Sequence, residues 1–201
     1  MMMENKKFLL GVDVSHHNYN QINPSQLDFV WLKATEGKTY KDPRMNMFLE
    51  HMANEGINNQ PFIGFYHYAR PENNKDPKDE ANNFIKTIEP HIGNCLLALD
   101  WEGNALKEDP VWALQWLEYV QAITSCKPLI YASGSATKNL KLIASAGFPL
   151  WVANYITKDK KEPTYYHWSD YKFWQFTSAP FDVDIFKGTR SDLAALVHGI
   201  I

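Results

Sequence analysis

The sequence predicts an α/β fold, a single-domain barrel of alternating strands and helices. Three observations carry this expectation. Short apolar strand segments alternate with helical segments through most of the chain. No glycine-rich phosphate loop follows the first strand, where Asp13-Val14-Ser15-His16-His17-Asn18 stands instead, which disfavours a doubly wound nucleotide fold. Acidic residues also collect at strand ends, the place where barrels of this type keep their active sites.

Taken in order, the expected strands are Phe8–Val14, Phe29–Ala34, Phe62–Tyr68, Cys95–Trp101, Leu129–Ala132, Leu150–Ala153, Phe173–Phe176 and Val183–Phe186. In the first, Leu9, Gly11, Asp13 and Ser15 share a face; in the fourth, Leu96, Ala98, Asp100 and Glu102 do. Both faces begin small or apolar and end acidic, as a packed floor beneath a polar mouth requires. The helical segments lie near Pro43–Glu55, Pro77–Ile88, Pro110–Ser125 and Ser135–Ala146, several opened by a Pro-then-acid or Ser/Thr start signal. Beyond Ala146 only Ser191–His198 reads as helical. Such alternation implies parallel strands joined by crossovers.

The 201 residues suit one domain, expected over 8–201 after a polar extension at 1–7. With 45% hydrophobic and 21% charged residues, the balance is that of an ordinary soluble protein. A net charge of -3 gives no reason to expect nucleic acid or a membrane surface as partner. Seven Trp, ten Tyr and eleven Phe exceed what a core of this size needs, and such rings stack on sugars as readily as they fill interiors. Cys95 and Cys126 are too few for a disulfide framework and are expected as free thiols. The apolar piece Phe8-Leu9-Leu10 is too short for a signal-peptide core, and no stretch could span a bilayer. Synthesis in a cytoplasm is therefore expected.

The chemistry concentrates in Asp100-Trp101-Glu102, where a hydrophobic strand reaches solvent. Alternation points both acids one way, with β-carbons roughly 6.6 Å apart at a rise of about 3.3 Å per residue. Two carboxyls at that spacing suit acid-assisted cleavage of a glycosidic bond. A strand-end pair that merely caps a helix or forms a salt bridge is the competing explanation. Asp13 and Asp184 join the pair at the expected mouth, and crowded acids raise one another's pKa until one stays protonated near neutrality. Lys33 could pair with these carboxylates, whereas strand alternation places Glu36 opposite Lys33. Tyr66, Tyr68, Tyr131, Trp151, Tyr155, Trp174 and Gln175, also at or near strand ends, are the expected substrate-binding residues. His16, His17 and His67 lack metal-ligand spacing, so neither metal nor cofactor is expected.

These segments resemble the family 25 glycoside hydrolases, the Chalaropsis-type lysozymes. The resemblance runs from Gly11–Asn18 through Trp31–Gly37 with Tyr40 and Asp42, to Gly64–Tyr68, Leu99–Glu102 and Pro128–Tyr131. It continues through Leu150–Ala153 with Tyr155, Trp174–Phe176 and Val183–Phe186, nearly the whole chain in family order. Tyr19 and Trp31 depart from the residues usual at their positions.

The resemblance implies a flattened (β/α)5(β)3 barrel that cleaves the β-1,4 bond between N-acetylmuramic acid and N-acetylglucosamine. It maps the general acid to Glu102, its partner to Asp100, and the acids of the first and last strands to Asp13 and Asp184. It favours a retaining route in which the substrate's 2-acetamido oxygen is the nucleophile, with Asp100 or Asp184 orienting it. The spacing of the pair leaves the covalent and inverting routes open, since these need carboxyls about 5–5.5 Å and about 6.5–9.5 Å apart. A silent wall-binding module and a glycosidase on a related polymer such as chitin are the other functional readings. The expected setting is a monomeric phage-type endolysin acting on bacterial peptidoglycan.

Overall fold

The structure is a computed structural model that describes residues 8–19, 22–54, 60–155 and 162–199. The extension expected at 1–7 lies outside the described residues. The strands are β1 (Phe8–Val14), β2 (Phe29–Glu36), β3 (Tyr40–Lys41), β4 (Phe62–Tyr68), β5 (Leu96–Asp100), β6 (Leu129–Ser133), β7 (Leu150–Ala153), β8 (Phe173–Thr177) and β9 (Val183–Lys187). Eight of them close a barrel in the order β1-β9-β8-β7-β6-β5-β4-β2, sealed by pairing of β1 with β2. The two-residue β3 adds a hairpin to the end of β2. The expected α/β barrel is therefore present.

One expectation about strand direction fails. Neighbours from β1 through β2 and β4 to β8 run parallel, but β9 is antiparallel to both β8 and β1. The chain between β8 and β9 is a short loop with no crossover helix, so the strand returns the way it came. As a consequence, the mouth end of β9 is its beginning.

Helices α1 (Met45–Asn54), α2 (Pro77–Ile88), α3 (Pro110–Thr124) and α4 (Lys141–Ser145) lie in the crossovers, and α5 (Arg190–Val197) follows β9. The proline start signals are explained by their caps. Asp76 and Asp109 accept from Lys78 N and Val111 N, and Pro77 and Pro110 occupy first-turn positions that need no N–H. Thr189 and Asp192 form a reciprocal capping box at α5. No helix among the described residues is long and apolar enough to cross a membrane.

Strand alternation divides the core into two shells. Outward residues such as Val30, Phe65, Leu97, Leu99, Ile130 and Val152 pack on Phe84, Ile88, Trp116 and Leu117 of α2 and α3. Inward residues Leu9, Phe29, Trp31, Leu96, Leu129, Trp151, Phe173 and Phe186 fill the barrel. Glycines at Gly11 and Gly64 make room for this filling: a Cβ there would sit 2.4 Å from the Phe29 ring and 2.2 Å from the Trp31 ring. Trp31 stacks on Trp151 at 4.6 Å and 16°, forming an aromatic floor. Each such ring buries on the order of 200 Å², worth about 5 kcal/mol at ~25 cal/mol per Å².

The two residues that depart from the family pattern are thus packing residues: Tyr19 packs edge-on against Phe48 of α1, as Trp31 does face-on against Trp151. Both cysteines are free, and burial pushes the Cys95 thiol up to about 12. His67 is bonded to Thr35 and Glu80, and His16 to Asp42.

Candidate active site

A cavity of about 270 Å³ opens above the aromatic floor. Its wall is Asp13 and Ser15 from β1 and the turn after it, Lys33 from β2, Tyr66 and Tyr68 from β4, and Asp100 and Glu102 from the end of β5. Tyr131, Trp151, Tyr155, Gln175 and Asp182 complete it. Ten of the twelve residues expected at the site line this cavity; Asp184 and Trp174 do not.

The misplacement of Trp174 follows from alternation. Phe173 and Gln175 point into the barrel, so Trp174 between them points out, where its indole donates to the Asn154 carbonyl at 2.7 Å. Trp174 and Gln175 could not both face the mouth. Asp184 is placed correctly along the barrel but is sealed, with no exposed surface. Its Oδ1 accepts from Trp151 Nε1 at 2.7 Å, and its buried Oδ2 has no hydrogen-bond partner among the described residues.

Gln175 ties this layer together. Its Nε2 donates to Asp13 Oδ2 at 2.7 Å, while its Oε1 accepts from Tyr131 at 3.0 Å and from Tyr155 at 3.3 Å. Those bonds fix which end of the amide faces the carboxylate. Burial, the nearby charge of Asp182 and that of Glu102 outweigh this donor and push Asp13 up to about 7. Asp184 is held well above the carboxylate range by burial and by the nearby Asp13.

Glu102 and Asp100 stand on one side of β5 as alternation requires. Asp100 is almost fully buried, its Oδ1 has no hydrogen-bond partner, and burial with the charge of Glu102 raises it far above its ordinary range. Glu102 sits at the rim, half-buried in extended backbone, raised by burial and then by Asp182. Trp101 points away, buried against Trp112 behind the pair. Lys33 opposes the trend and lowers both acids.

Glu36 is where alternation misleads. Between Lys33, opposite Tyr66, and Thr35, opposite His67, β2 carries an extra residue. This bulge at Ala34 resets the phase and turns Glu36 to the side of Lys33. Lys33 Nζ then donates to Glu36 Oε2 at 2.6 Å, and Arg70 holds the other oxygen. Two cations lower the Glu36 pKa, which makes it a poor proton donor. Asp182 and Ser15 are the residues missed by the list drawn from strand ends. Asp182 escaped because the mouth end of β9 is its first residue; its signal is the Asp182-Val183-Asp184 spacing, which repeats that of Asp100-Trp101-Glu102.

Comparison with known proteins agrees with this geometry. The family model described as glycosyl hydrolases family 25 matches residues 12–185. The uncharacterized protein YegX of Escherichia coli K12 is 30% identical over 190 residues, covering 89% of this chain and 66% of that protein. The autolytic lysozyme of Clostridium acetobutylicum is 28% identical over 178 residues, covering 85% of this chain and 52% of its own length. The chain thus spans two thirds or less of the length of these two relatives. A solved muramidase from Trichobolus zukalii superposes with a TM-score of 0.76 at 26% identity, covering 95% of this chain and 99% of that one. The family model reaches every strand that builds the cavity, and on that basis the chain belongs to family 25 of the glycosyl hydrolases.

Proposed function

We propose that this chain is a muramidase that hydrolyses the β-1,4 bond between N-acetylmuramic acid and N-acetylglucosamine in bacterial peptidoglycan. The observation that carries the reading is the pairing of Glu102, half-exposed and raised at the rim, with Asp100 one step deeper in the same cavity. Family membership and the lysozyme and muramidase relatives support it.

Glu102 protonates the glycosidic oxygen as the bond to C1 breaks, an effect worth about 10²–10⁴-fold. The substrate's own 2-acetamido oxygen closes on C1, and Asp100 orients that group. Water then opens the ring so formed, returning its proton to Glu102 with retention at C1. Asp13 and Gln175 form the wall opposite, and Asp184 supports them through Asp13 and Trp151. Tyr66, Tyr68, Tyr131 and Tyr155 line the sugar path, Tyr155 being 49% exposed at its edge. The chain works as a monomer at the cell wall in the manner of an endolysin.

Glu102→Gln is expected to abolish lysis of purified walls while circular dichroism stays unchanged; lysis at the native rate would refute the assignment. Mass spectrometry of the new reducing ends separates the substrates. Muramic-acid ends support a muramidase, glucosamine ends a glucosaminidase, and release from chitin alone the third reading. Release of the inverted anomer in the first turnovers, seen by NMR, would exclude the acetamido route.

A further inference from the structure

A second cavity, of about 760 Å³, adjoins the catalytic one on the side of β2 and β4. We propose that it is a subsite for a primary ammonium group carried by the peptidoglycan substrate, with Glu72 and Glu80 as its acceptors. The assignment rests on the muramidase reading, because it concerns the polymer that such an enzyme cuts.

The two cavities share a partition. The Tyr68 ring lines the catalytic one, with Lys33 Nζ 4.8 Å from its centroid and the Arg70 guanidinium 4.7 Å from it. Arg70 lines the second cavity together with Glu36, which Lys33 reaches at 2.6 Å. Asn104 and His16 also line it, two residues beyond Glu102 and one beyond Ser15. A polymer with its scissile bond at Glu102 therefore has neighbouring groups that reach this space. An extended segment of three residues alone spans about 10 Å.

The charges lining it are unevenly used. Arg70 bonds Glu36 at 2.6 Å and Glu72 Oε1 at 3.3 Å, and Lys38 pairs with Asp79 at 2.9 Å. His16 is bonded to Asp42 and Tyr40. The acids keep spare capacity. Glu80 is fully buried; its Oε2 is bonded to His67 Nε2 at 2.9 Å and accepts from the Arg70 backbone N–H at 3.0 Å. Its Oε1, like the buried Oε2 of Glu72, has no hydrogen-bond partner among the described residues. Such buried acceptors call for a donor. An ammonium brings three N–H donors and the complementary charge, whereas a sugar hydroxyl brings one donor and no charge. Two carboxylates fall short of the ligand set of a metal ion, and among the described residues no larger group of His, Cys, Asp and Glu is placed to hold one. Peptidoglycan offers primary amines in two places: the diamino acid of an uncrosslinked stem peptide, and a glucosamine that has lost its acetyl group.

The test measures kcat/KM on soluble, uncrosslinked wall fragments with a free stem amine, and on the same fragments after treatment with acetic anhydride. A second pair is stem-free glycan before and after deacetylation. The native chain is expected to prefer the amine-bearing member of one pair by about tenfold, mainly through KM. Preference within the first pair assigns the ammonium to the peptide, and preference within the second assigns it to the sugar. Glu72→Gln and Glu80→Gln are each expected to bring the preference below about threefold, and Glu72→Asp to restore part of it. Should Glu80→Gln fold poorly by circular dichroism, Glu72→Gln decides alone, since that side chain is 21% exposed. Equal rates within both pairs for the native chain, with muramic-acid ends still released, overturn the subsite and leave the muramidase reading standing. A preference that survives undiminished in the Gln variants overturns the roles of Glu72 and Glu80. Release of no reducing ends from any fragment overturns the reading beneath.

Discussion

The indole of Trp151 donates a 2.7 Å hydrogen bond to Oδ1 of Asp184, a carboxyl with no exposed surface, while its ring stacks on Trp31. One side chain thus joins the aromatic floor to the acid layer above it. Trp151→Phe would keep a ring and delete the donor. A buried acceptor left without a partner costs about 1–3 kcal/mol. The variant is therefore expected to unfold at lower urea than native, with activity reduced at saturating substrate. An unchanged urea midpoint would show that the bond carries no stability.

Asp13 contributes to the pH dependence of stability. Its pKa rises from 3.8 to about 7 on folding, so the folded chain binds the proton more tightly. Such a group loses stability as pH rises from about 4 through 7, with an upper bound of about 4 kcal/mol. Asp13→Asn cannot ionise, so its unfolding temperature is expected to fall less between pH 5 and pH 8 than that of the native chain. At pH 8 the variant is expected to be the more stable of the two and much less active. Parallel stability curves across that range would contradict this.

Lys33 is the cation that acts on the acids of the mouth. Its charge lowers Glu102 and Asp100, so Lys33→Met is expected to move the alkaline limb of kcat/KM to higher pH by about half a unit. Glu36 keeps Arg70 as a partner in that variant. A limb that moves to lower pH would show that Lys33 acts by another means.

Gly64→Ala tests the barrel filling. The new Cβ would stand 2.2 Å from the Trp31 ring, which is itself clamped against Trp151. Overpacking of this kind costs about 1–3 kcal/mol. A drop in the unfolding temperature is expected, and an unchanged value would mean that the floor yields freely.

Much of the site was legible because strand alternation is a local property. Asp100 with Glu102, and Asp13 with the small and apolar residues below it, share faces whatever the rest of the chain does. Alternation also decides between Trp174 and Gln175, since neighbours on a strand face opposite ways, and Gln175 is the one that reaches the mouth. The helix starts were legible for the same reason: Asp76-Pro77 and Asp109-Pro110 carry their caps within two residues.

What the sequence by itself determined was therefore the αβ alternation, the closed barrel implied by its family resemblance, and the Asp100-Glu102 pair at a strand end. Tertiary structure alone decided three things. A bulge opposite β4 turned Glu36 toward Lys33, because strand phase depends on the partner as well as on the strand. The reversal of β9 put Asp182 at the rim and sealed Asp184, because direction is set by which neighbours a strand finds. The upward shift shared by these carboxyls came last, because it is fixed by burial and by charges brought together from β1, β2, β5 and the loop before β9. Local pattern chooses the acids; only their packing in one mouth raises them together.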